Sequence, residues 1–98
     1  MSDYTGHSIP LDVIRSNACY LRDEMLDNCV TFGERFTAGL LTYNQALEKL
    51  VYSIAFVESI YNFLWHLDVI DDDEYETLME SCPNKFLNAF FKGKDKYK

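Results

Sequence analysis

The sequence is poor in the residues that most often announce a site. Its four glycines are scattered and form no phosphate-cradling loop. Three cysteines, Cys19, Cys29 and Cys82, are odd in number, widely spaced and without a C-x-x-C pair, which leaves neither a disulfide framework nor a zinc site. They read as reduced, small apolar residues. With two histidines in the chain there is no H-E-x-x-H or Glu-x-x-His arrangement for a metal. No G-x-S-x-G or family-type cysteine signature offers an activated nucleophile. The longest apolar stretch, 51–67, is interrupted by Glu58, Asn62 and His66, so it falls short of a membrane span. The first residues carry neither the basic region nor the apolar core of a signal peptide, and the expected location is the cytoplasm.

Cations are also scarce over most of the length. Residues 1–91 hold five Lys or Arg against fifteen Asp or Glu, a balance of −10, whereas Lys92, Lys94, Lys96 and Lys98 flank only Asp95. Such a body repels a nucleic-acid backbone, and four lysines make only a salt-sensitive phosphate contact, so direct nucleic-acid binding is not expected. Residues 93–98 read as a lysine-rich flexible tail, and 1–98 as one helical domain, since 98 residues supply one core.

What is present is helical periodicity. Hydrophobic residues make up 48% of the chain and aromatics 15%, enough to offset the entropy of ordering. Leu11, Ile14, Ala18, Leu21 and Met25 recur at steps of three and four, predicting a first helix over about 9–36, with Ser8 as N-cap and Gly33 or Gly39 loosening its end. Leu40, Tyr43, Leu47, Leu50, Ile54, Val57, Tyr61 and Leu64 continue the same spacing as a coiled-coil-like seam. Thr42 and Gln45 form a capping box, so the second helix covers about 43–67 and pairs antiparallel with the first. A second apolar face, Phe56, Ile60, Phe63 and Leu67, calls for neighbours on two sides.

Asp71 and Glu74 repeat the capping box, with Ile70 placed to staple against Tyr75, and start a short third helix over about 72–81. Pro83 breaks it, and Phe86, Leu87, Phe90 and Phe91 form a short fourth helix over about 84–92 that ends at Gly93. The expectation is thus an all-α bundle: a long hairpin plus two short C-terminal helices. Residues 39–47 and 68–76 share one design, a turn, two aliphatics, a cap and a helix start.

Acids and aromatics are the candidate contact residues. The run 71–74 suits a helix N-terminus better than a calcium loop, because Glu76 and Cys82 stand where an EF-hand needs glycine and a bidentate glutamate. Glu58, Asn62 and His66 read as a polar stripe facing solvent or a helix partner. Asp23, Glu24, Asp27, Asp71, Asp72, Asp73, Glu76 and Glu80 are candidates for contact with a basic protein surface, or else solvated faces and caps. Tyr52, Trp65, Tyr75 and Phe91 lie off the inferred buried stripes and are candidate aromatic anchors.

Three readings follow. One is a non-catalytic interaction module that occupies a basic surface on another protein. In size, charge and helical make-up the chain resembles small accessory proteins of phages and mobile elements, among them inhibitors of CRISPR nucleases. That resemblance is one of style, rests on no motif and carries over no residue. The second reading is a homodimeric structural bundle, because small domains often gain core by pairing. The third is a small-ligand pocket between Phe56, Ile60, Phe63, Trp65 and the C-terminal helices. No cofactor or metal is implied, and the small basic stripe of Arg15 and Arg22 is expected to pair with nearby acids.

Overall fold

The computed structural model describes residues 10–96. They form three helices, α1 (Leu11–Thr37), α2 (Tyr43–His66) and α3 (Asp72–Asp95), and no strand occurs among them. The helices run up, down and up, so α1 and α2 are antiparallel and α1 and α3 parallel, in a rod of 53 × 25 × 20 Å. The most extensive helix pairing joins α1 to α3, not α1 to α2. The Ser8 cap lies outside the described residues. Pro10 precedes α1 instead, and its carbonyl accepts from the amides of Val13 and Ile14.

The two corners share one solution, as their sequences suggested. After α1, Leu40 N–H donates to the Arg35 carbonyl and Gly39 N–H to that of Phe36. After α2, Val69 N–H donates to Leu64 and Asp68 N–H to Trp65. Both are Schellman closures, which need a left-handed residue, supplied by Gly39 (φ 79°) and by Asp68 (φ 59°). Two aliphatics then lead to an N-cap. At α2 the capping box is complete: Gln45 N–H donates to Thr42 Oγ1 (3.1 Å) and Thr42 N–H to Gln45 Oε1 (2.9 Å). At α3 it is half formed. Glu74 N–H donates to Asp71 Oδ1 at 2.8 Å, but the Glu74 carboxylate turns to Arg15 of α1.

Two short C-terminal helices were expected, and a single long helix is found. α3 passes through Pro83, which lacks the amide that would bond the Met79 carbonyl. The local cost is outweighed because Cys82 and Phe86 on either side, and Phe90 one turn on, are buried in the core. A break at Pro83 would pull Phe86 and Phe90 out. Gly93 is likewise not a stop, since the helix continues to Asp95. It is a contact point: a Cβ on Gly93 would lie 1.9 Å from the Val30 carbonyl oxygen, and one on Gly33 would lie 2.1 Å from that of Phe90. Gly33 therefore sits inside α1, about one turn before its end, where it lets α1 and α3 meet backbone to backbone.

The α2 seam is also shifted from its expected register. Leu50, Val57, Tyr61 and Leu64 are buried as the spacing predicted, but the row is completed by Ala46 and Ser53. Leu40, Tyr43 and Leu47 are exposed. On α1 only Ala18 of the expected stripe is fully buried, and Leu11 and Leu21 reach solvent. Cys29 and Ser53 meet at the centre of the core, where the Ser53 hydroxyl also donates to the Lys49 carbonyl at 2.9 Å. The core is consequently narrow, and much apolar surface stays outside it.

Candidate functional site

The candidate contact residues divide into groups with different surroundings. At the α2–α3 corner, Trp65 and Tyr75 stack with centroids 4.7 Å apart and planes 18° from parallel. Trp65 Nε1–H donates to Asp72 Oδ1 (2.7 Å), and the Tyr75 hydroxyl donates to Asn62 Oδ1 (2.5 Å). Asp71 caps α3. Four of the candidates, Trp65, Asp71, Asp72 and Tyr75, thus have their polar atoms engaged within the chain, where they fix the angle at which α3 leaves α2. Of the Glu58, Asn62 and His66 stripe, Asn62 meets Tyr75 of α3, whereas His66 is exposed with its Nδ1 2.7 Å from the Asn62 carbonyl.

Asp73, Glu76 and Glu80 differ. All three are exposed, and none makes a hydrogen bond or ion pair with another described residue. Their spacing of three and four places them in one row along α3, and the same row continues through Asn84 to Leu87 and Phe91, which are 36% and 48% exposed. From Asp73 to Phe91 this face is about 27 Å long. It is acidic in its first half and apolar at its end. Phe91 is held edge-on by Phe90, and the Lys94 ammonium lies 5.9 Å from its ring.

The α1 candidates do not join this row. Asp23 is paired with its neighbour Arg22 (3.0 Å). Asp27 lies along the α1–α3 groove, whose lining also includes Lys85 and Lys92. Glu24 is exposed on its own. Tyr52 is exposed on α2, stacked on Phe56 at 6.5 Å. The structure therefore sets four of the twelve candidates, Asp73, Glu76, Glu80 and Phe91, in one outward row, gathers Trp65, Asp71, Asp72 and Tyr75 at the α2–α3 corner, and leaves Asp23, Glu24, Asp27 and Tyr52 apart from both. Leu87, which continues this row, was not among the candidates because it was grouped with Phe86 and Phe90 in a short amphipathic fourth helix.

Two concavities bear on the ligand readings. A cavity of about 80 Å³ lies between the helices and is lined by Arg15, Arg22, Cys19, Tyr61 and Glu74. Its basic stripe is neutralised as expected, Arg15 by Glu74 and Arg22 by Asp23. Burial opposes the Arg22 cation, but the Asp23 hydrogen bond and charge outweigh it and hold its pKa above the usual value. Burial pushes the Tyr61 phenol up, against the pull of Arg22. The larger groove, about 390 Å³, does contain Phe56, Ile60 and Phe63, but its other wall is Ile14, Ala18 and Leu21 of α1. Trp65 and α3 take no part in it, because Trp65 is committed to Tyr75.

The two buried cysteines, Cys29 and Cys82, are not arranged as nucleophiles. Burial pushes the Cys82 thiol up to about 11, with Glu58 adding to the shift and Lys85 opposing it. Burial also raises Cys29, opposed in part by its hydrogen bond with Ser53. A reactive cysteine needs the opposite shift. Among the described residues no group of three or more His, Cys, Asp or Glu could hold a metal ion, and no helix is long and apolar enough to cross a membrane. No protein-family model, curated protein or solved structure matches the chain.

Proposed function

We propose that this chain is a non-catalytic interaction module that occupies a basic surface on another protein with the outward face of α3. The observation that carries the reading is the row of Asp73, Glu76 and Glu80, exposed and unpaired within the described residues, leading into Leu87 and Phe91. Acids that cap helices or close corners are already used; these three are not. A rigid helix holds them in line at no further cost in ordering, and the net charge of −7 steers a basic partner toward the chain. Leu87 and Phe91 supply the apolar anchor that an exposed charge row lacks.

The narrower form of the proposal is that the partner is a nucleic-acid-handling protein, such as a CRISPR nuclease, whose phosphate-binding surface the carboxylates fill. It rests on the resemblance in size and charge and on the acidic row. Affinity capture from nuclease-treated host lysate tests it at two salt concentrations. Recovery of one basic protein, lost at high salt, is the expected result; capture of no basic protein at low salt would remove the reading.

A further inference from the structure

We infer that the chain pairs with a second copy of itself through the face of the α1–α2 hairpin opposite α3. This goes beyond the acidic α3 face and uses a separate surface. α3 packs on one side of the hairpin only. On the other side the groove between α1 and α2 is open, walled by Leu21, Phe56, Ile60 and Phe63, with Phe63 61% exposed. The second apolar face of α2, which calls for neighbours on two sides, is flanked by Ile14, Ala18 and Leu21 of α1 on one side, and Phe63 remains largely exposed.

The available area fits a dimer. Tyr20, Tyr52 and Phe63 are each about two-thirds exposed, and Leu21, Phe56 and Leu67 about two-fifths. Taking about 200 Å² for a whole aromatic side chain and somewhat less for leucine, they present on the order of 600 Å². Asn17, Ser59 and the groove floor bring this toward the roughly 800 Å² per partner of a stable interface.

Charge selects the occupant. No ionisable side chain lines the groove, although 26% of the chain is charged. A basic surface docked there would leave its cations desolvated and uncompensated. A second copy brings the same uncharged groove, flanked beside Tyr52 by the opposite charges of Glu48 and Lys49, and such a face is self-complementary under a two-fold axis. In that arrangement the two acidic α3 rows remain on the outside, away from each other, so the dimer is bivalent toward a basic partner.

Sedimentation equilibrium of the full chain, with helicity checked by circular dichroism, tests the inference. The expected mass is twice the 11.5 kDa of one chain. Phe63→Glu, at a position exposed in the single chain, should retain helicity and raise the dissociation constant about tenfold or more. Leu87→Glu, on α3, should leave the dimer intact. A monomer at every concentration overturns the inference and leaves the face to a different protein or an apolar ligand. It is equally overturned if Phe63→Glu stays dimeric, or if Leu87→Glu is the variant that dissociates.

Discussion

Gly93 of α3 rests directly on the backbone of Val30 in α1, with no room for a side chain between them. A Cβ there would stand 1.9 Å from the Val30 carbonyl oxygen and 2.7 Å from its carbon, which no rotamer change relieves because both are main-chain atoms. Gly33 makes the reciprocal approach to Phe90 and Lys94. Gly93→Ala is therefore expected to cost about 3 kcal/mol or more, the upper range for overpacking. Gly33→Ala should cost a similar amount. Because one separation of the helices relieves both clashes, the double variant should cost clearly less than the two singles added, as measured by urea unfolding. Additive costs would mean the two glycines act independently.

Pro83 leads to a prediction of opposite sign. It interrupts the hydrogen-bond ladder of a helix whose neighbouring residues are buried. Pro83→Ala restores the amide and should stabilise the fold by about 1–3 kcal/mol, less than the full helix-interior penalty because the unfolded chain gains freedom. Unchanged or lower stability would show that α3 uses the distortion.

Most of the architecture was legible in the sequence, and the failures share a cause. Thr42 and Gln45 located the start of α2, and Asp71 that of α3, because caps are read by side chains a few residues away. The repeated corner design was legible for the same reason. Continuation through Pro83 was not, since the local penalty is visible in the sequence whereas the compensating burial of Cys82, Phe86 and Phe90 depends on α1 and α2. The seam register failed similarly. Leu40–Tyr43–Leu47 and Ala46–Leu50–Ser53 both satisfy three-four spacing, and only the neighbouring helices select the row with small residues. In the candidate site, Asp73, Glu76 and Glu80 were visible as acids and Asp71 as a cap, but the separation of Asp72 from the row required its bond from Trp65 to be seen.

The α2–α3 corner holds two testable details. Asp68 adopts φ 59° in a position suited to glycine. Asp68→Gly should stabilise the chain by about 0.5–1 kcal/mol by removing that strain. Asp72→Ala removes the acceptor for Trp65 Nε1–H and should lower stability by about 1 kcal/mol, with a shift in tryptophan emission. Chain Trp65 is the sole tryptophan, so the emission reports this corner alone.

Alkaline pH should weaken the fold. Cys82 is raised from 9.0 to about 11, and Cys29 and Tyr61 are raised as well, chiefly by burial. The folded chain then keeps protons that the unfolded chain releases. For Cys82 the contribution is fully present below pH 9 and is lost as pH rises through about 11, the reverse of a paired carboxylate, and Cys29 and Tyr61 act in the same direction. Urea midpoints should therefore fall across this window. Among the three free thiols, only Cys19 is exposed, so a thiol reagent should titrate it at once and Cys29 and Cys82 only on unfolding.

The central claim is that the outward face of α3 is the working surface. It is tested by repeating the lysate capture with Asp73→Asn/Glu76→Gln/Glu80→Gln beside the unaltered chain. These side chains have no described partner, so the variant should match the parent in helicity and lie within about 0.5 kcal/mol of its stability. The account predicts that the basic protein captured by the parent is lost from the triple variant. Undiminished capture by a folded triple variant would contradict it.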